Sequence, residues 1–139
     1  MSDITIFNGV WTTIDADASN MDKYLSKIGV GFVKRKIGKG LIRTITFDSP
    51  DGQNMTITNK SSVSTRTASV SVGHSEVGET EDGRKDVTTS YTFENNGLLI
   101  TKVDKKGKKE TSHWTIEGEN MVQSLECDGA KVRLVYKKA

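Results

Sequence analysis

At 139 residues, with 34% apolar and 27% charged side chains, the chain suffices for one domain with a real core, residues 1–139. A net charge of +2 is too mild to imply nucleic acid, and 6% aromatics exclude a core filled mainly by rings. The single cysteine, Cys127, excludes an internal disulfide and fits a reducing compartment. MSDITIFNGVW has neither the charged start nor the apolar run of a signal peptide, and no stretch approaches the roughly 18 apolar residues of a membrane span. A cytoplasmic protein is expected.

In chain order, VWTTIDA (10–16) reads as a first strand. In SNMDKYLSKIG (19–29), Met21, Tyr24, Leu25 and Ile28 share one helix face, Ser19 and Asp22 form an acidic capping box, and Gly29 is a natural stop. A shorter helical piece between glycines is expected over 31–40. From residue 41 the period changes to two. LIRTITFD is followed by the turn SPDG, then come QNMTITNK and STRTASVSV, and VTTSYTFE meets LLITKV across NNG, where Asn and Gly tolerate positive φ. ETSHWTIE, MVQSLEC and KVRLVYKK complete the series.

One strand, a helical pair and a long antiparallel meander make an all-β plan that should close on itself, because closure removes sheet edges. Small and polar residues recur on both faces of several strands. In 65–72, for example, Arg66, Ala68, Val70 and Val72 alternate with Thr65, Thr67, Ser69 and Ser71. Such strands suit a barrel around a cavity better than a packed sandwich, and Arg66 by parity faces that cavity or its mouth.

Catalytic signals are thin. His74 and His113 lack metal-ligand spacing, and Cys127 has no evident base. GVGFVKRKIGKG follows a helix rather than a strand and lacks the Lys-Ser or Lys-Thr ending of a phosphate loop. No enzyme activity, cofactor or metal is expected. The densest basic feature is Lys34, Arg35, Lys36 and Lys39, with Lys23 and Lys27 on the preceding helix. It reads either as a solvated helix face or as a surface for transient contact with anionic membranes, where each basic residue adds about 1 kcal/mol. The absence of interleaved aromatics argues against nucleic acid. In the last strand, Val132, Leu134 and Tyr136 share one face, while Lys131, Arg133 and Lys137 share the other. Arg133 therefore points to water unless a β-bulge turns it inward.

FNGVW (7–11), NMDKYLSKIGVGFVKRK (20–36), EDGRK (81–85), the ENN–G–L hairpin (94–98), IEG (116–118) and the terminal VYKK together resemble the fatty-acid-binding protein family, the intracellular lipid-binding proteins that include retinoid carriers. The resemblance covers nearly the whole chain in the family's order. It implies a ten-stranded antiparallel up-and-down β-barrel (a β-clam), with a helix-turn-helix lid after the first strand. It implies non-enzymatic binding and intracellular transport of a hydrophobic small molecule by a monomer, with a long-chain fatty acid as the expected ligand.

Many members of that family hold a carboxylate with two arginines and a tyrosine, since a carboxylate removed from water needs charge-assisted donors. Tyr136 matches the tyrosine, but Leu134 and Trp114 occupy the arginine positions. The resemblance thus makes Tyr136 the polar contact and makes Trp114 and Leu134 apolar lining, with Met21 and Val63 near the portal. Arg66 and Arg84 become the candidate substitute anchors, and Arg84 matches a family arginine facing interior water. Loss of both arginines raises the alternative of a retinoid or another neutral lipid.

Overall fold

The computed structural model describes residues 3–79 and 84–139. A short 3₁₀ turn, Ile4–Phe7, precedes strand β1, Gly9–Asp15. Helices α1, Ala18–Lys27, and α2, Phe32–Gly38, follow as a pair. The remaining strands are β2 (Thr44–Asp48), β3 (Asn54–Lys60), β4 (Thr65–Ser71), β5 (Ser75–Gly78), β6 (Val87–Glu94), β7 (Gly97–Val103), β8 (Lys109–Glu117), β9 (Asn120–Cys127) and β10 (Ala130–Lys138). All ten form one antiparallel sheet in the order β4-β3-β2-β1-β10-β9-β8-β7-β6-β5, so sequence neighbours other than β4 and β5 pair, and β1 with β10 joins distant parts of the chain. This is the curled ten-stranded architecture with a helical lid.

Three local expectations need correction. Helix α1 begins earlier than the capping box at Ser19 suggested: its N-cap is Asp17, in the left-handed conformation at φ 47° and without a side-chain cap bond. The Asp17 carboxylate instead accepts hydrogen bonds from the Asn20 side chain and from the backbone N–H of Arg133, tying the lid to β10. Strand β5 carries no periodic signal because all four of its residues are exposed. Closure is also incomplete, since β4 and β5 stand at the two ends of the strand order with no ladder between them among the described residues.

At the closed end, burial is nearly total. Phe7 from the 3₁₀ turn packs against Phe47 with ring centroids 5.6 Å apart, Phe47 meets Trp114 edge-on at 5.3 Å, and Trp114 lies 5.4 Å from Tyr136. Trp11 anchors the turn by donating its indole N–H to the Phe7 carbonyl at 2.8 Å. Phe7, Trp11, Phe47, Trp114 and Tyr136, five of the nine aromatic residues, meet at this one end. Gly97 opens β7 beside them, and a Cβ there would collide with the Trp114 carbonyl oxygen, so only glycine fits this crossing.

The lid is held differently. Gly29, at φ +91°, ends α1 as its sequence suggested. Arg35 of α2 pairs with Asp22 of α1 at 3.3 Å and donates to the Val30 carbonyl at 2.9 Å. Arg35 is therefore a tie between the two helices rather than a free member of the basic cluster.

Candidate functional site

Between the sheet and the lid lies a cavity of about 590 Å³ that opens to solvent at its rim. Its walls come from both ends of the strand order, with Ala68 and Val70 of β4 on one side and Tyr91 and Ile100 of β6 and β7 on the other. Met21, Tyr24 and Leu25 of α1 roof it, since the apolar stripe of that helix faces inward.

Of the residues proposed from sequence, Met21, Val63, Arg66, Arg84 and Trp114 line this cavity. Val63 and Arg66 do so at the exposed rim, Val63 being 59% exposed. Leu134 and Tyr136 face inward but lie behind the cavity wall, buried in the packing of the closed end. Parity assigned their side of the strand correctly; it carried no information about depth.

Arg133 faces outward. Strand β10 pairs with β9 without interruption from Ala130–Cys127 to Lys137–Asn120, so no bulge interrupts that ladder. The irregularity lies in β1, where Thr13 opposes Tyr136 and Asp15 opposes Val135, leaving Ile14 extra. The Arg133 guanidinium forms an exposed pair with Glu117 at 3.2 Å.

Arg84 does face the interior, and it is already committed there. Its Nη1 and Nη2 each donate to one carboxylate oxygen of Glu110, both at 2.9 Å, in a bidentate pair. Lys102 adds a contact to the same carboxylate at 3.9 Å. Glu110 is 5% exposed and lines the cavity, a buried acid that the sequence pattern did not single out. Its parity with Ser112 and Trp114 along β8 was the available signal. Thr80 to Gly83, including the first part of EDGRK, lie outside the described residues.

The floor of the cavity is uncharged. Tyr136 Oη donates to Gln123 Oε1 at 2.9 Å, and Gln123 Nε2 donates to Ser112 Oγ at 2.9 Å. Gln123 and Ser112 both line the cavity, so this hydrogen-bonded chain brings the buried tyrosine's polarity to the wall. Trp114 Nε1 is buried beside it with no protein hydrogen-bond partner among the described residues. Near the mouth, Tyr91 Oη donates to Glu76 at 3.2 Å. Burial and then the Glu76 charge push that phenol well above the ordinary tyrosine range. Cys127 is 1% exposed and its thiol is likewise pushed up, first by burial and then by Asp128, which suits an inert core position.

One further basic residue lines the wall. Arg43 immediately precedes β2 and shares the inward parity of Ile45 and Phe47, a pattern legible in LIRTITF.

Comparison with known proteins agrees with this geometry. Residues 8–139 match the model of the lipocalin / cytosolic fatty-acid binding protein family. Fatty acid-binding protein 5 of Pygoscelis papua is 29% identical over 136 residues, covering 98% of each chain. Fatty acid-binding protein 12 of Mus musculus is 31% identical over 117 residues, covering 84% of this chain and 85% of that protein. The solved fatty acid binding protein of Schistosoma mansoni in complex with arachidonic acid is 25% identical, superposes with a TM-score of 0.89 and is covered over 99% of both chains.

Proposed function

We infer the function from membership: the chain belongs to the lipocalin / cytosolic fatty-acid binding protein family, and its barrel carries a hydrophobic small molecule in the cytoplasm without transforming it. The observation that carries this reading is the cavity of about 590 Å³ between sheet and lid, in which apolar residues such as Met21, Ile57, Val70, Ile100 and Leu125 alternate with polar and charged ones, a lining suited to an amphipathic molecule. Cavities of that size and character suit lipid-sized ligands. A long-chain fatty acid is the leading ligand, supported by the named relatives and by the arachidonic acid bound in the Schistosoma mansoni protein. The protein is expected to act as a monomer.

A second reading has its own support. Trp114 and Leu134 replace the arginines of the carboxylate clamp expected from the resemblance, and the floor offers the neutral Tyr136–Gln123–Ser112 chain. A retinoid or another neutral lipid would suit that floor without the cost of burying a charge.

Transient membrane contact belongs to the same proposal. Phe32, Val33 and Ile37 of α2 are 69%, 71% and 51% exposed, and Lys36 and Lys39 flank them, a combination suited to an anionic bilayer surface.

The test is native mass spectrometry of protein purified without delipidation, with the bound species extracted and identified. A fatty acid supports the leading reading, and a retinoid or neutral lipid supports the second. An empty barrel that also refuses oleate and retinol in titration overturns both.

A further inference from the structure

The cavity contains several cations, and they are not equivalent. Arg84 is closed by both oxygens of Glu110, and a bidentate pair of this kind has little left to offer an incoming anion. Arg133 is outside the barrel. Arg66 lies on exposed β4 at the rim, where water competes for any charge it meets.

Arg43 is in a different situation. Its backbone is fixed to β1 on both sides: Thr13 N–H donates to the Arg43 carbonyl at 3.0 Å, and Arg43 N–H donates to Thr13 Oγ1 at 3.0 Å. Thr13 is itself 6% exposed and opposes Tyr136 across the β1–β10 ladder. Arg43 therefore sits on the same cross-strand row as the tyrosine of the family motif, two strands away, on a backbone that cannot readily swing outward. Its side chain lines the cavity. Its Nε is buried with no protein hydrogen-bond partner among the described residues. A buried guanidinium N–H left without an acceptor costs free energy, and the group that best repairs it is an anion able to take two parallel N–H bonds.

We propose that Arg43 is the headgroup anchor of this barrel and that it binds a carboxylate at the β1–β2 wall. This deepens the carrier reading and rests on it. The buried Trp114 Nε1 is also a donor awaiting an acceptor, so the polar gaps at both places call for oxygen rather than for a cation. Arg43 adds the positive charge that the neutral floor lacks. In this arrangement the ligand's charged end is held at the wall formed by β1 and β2, and the hydrocarbon fills the space between Ile57, Val70, Ile100 and Leu125.

The test compares two ligands that differ only at the head, oleate and oleyl alcohol, titrated into delipidated wild-type protein, Arg43→Gln and Arg43→Lys. A charged hydrogen bond is worth about 1.5–3 kcal/mol, or roughly 10–100-fold in affinity. Arg43→Gln should lose at least tenfold for oleate while oleyl alcohol stays within about twofold, and Arg43→Lys should recover part of the loss. Retained alcohol binding shows that the variant still folds. Equal losses for both ligands, or no selective loss for oleate, would mean that water or neighbouring protein groups complete Arg43, and the anchor is overturned while the carrier reading stands. Wild-type protein that binds the alcohol but not oleate overturns the anchor likewise. Binding of neither ligand overturns the carrier reading and the anchor with it.

Discussion

At the closed end of the barrel, Phe7, Phe47, Leu98 and Tyr136 are each no more than 1% exposed, whereas at the mouth Phe32, Val33 and Val63 are 69%, 71% and 59% exposed. The two ends are made from similar residue types and differ in what covers them. Strands β1, β2 and β8 to β10 converge with the 3₁₀ turn on one aromatic cluster, so each ring there loses water on every side. Strands β4 and β5 share no ladder among the described residues, and no residue of α2 is fully buried, Arg35 and Gly38 being only partly covered. Stability is thus concentrated at one end, and the other is left cheap to open, as a chamber that loads and unloads must be.

The largest test of that contrast is Phe47→Ala. It removes a side chain in ring contact with both Phe7 and Trp114 and leaves a cavity the strands cannot collapse into. A loss of about 3–5 kcal/mol in urea unfolding is expected. A loss below about 1 kcal/mol would show that the closed end is not the stabilising cluster its burial indicates.

Next in size is Glu110→Gln, which probes the wall between the two ends. It strips Arg84 of its bidentate partner and leaves a guanidinium with only a fifth of its side chain exposed. The expected cost is roughly 3 kcal/mol, because a cation without its counter-charge is more expensive than either the pair or its absence. Unchanged stability would mean that Arg84 relaxes readily to solvent and that this wall behaves like the mouth.

How far the sequence reveals these differences varies from residue to residue. The strands of the meander were readable because alternation survives wherever one face is wet and the other dry, and parity placed Arg133 outside because the β9–β10 ladder is continuous. Strand β5 was not readable, since Ser75–Gly78 is exposed on both faces and leaves no alternation. Tyr136 shows the limit of parity in another way: it faces inward yet stops short of the cavity, with Gln123 relaying its hydroxyl to the wall. The Arg84–Glu110 pair spans 26 positions, so neither residue's neighbours announce the other. Arg43 was legible in LIRTITF but shares no position with the clamp implied by the family resemblance, and what distinguishes it is a buried Nε with no hydrogen-bond partner among the described residues.

The smallest expected effect on stability falls at the mouth. Phe32, Lys36 and Lys39 are exposed and lie outside the cavity lining. The triple variant Phe32→Ser, Lys36→Glu, Lys39→Glu should shift unfolding by no more than about 0.5 kcal/mol per site and leave oleate affinity unchanged. Its binding to vesicles containing phosphatidylserine should nonetheless fall several-fold, since it removes an apolar contact and reverses two charges at the surface that would meet the bilayer. The residual attraction through Lys23, Lys27 and Lys34 should then vanish on raising the salt, because exposed charges are screened beyond roughly 10 Å at 0.1 M. Wild-type and variant protein sedimenting equally with the vesicles would leave α2 as a solvated lid and nothing more. A loss of several kcal/mol in the same variant would instead show that α2 packs into the stabilising part of the fold, and the contrast between the two ends would not hold.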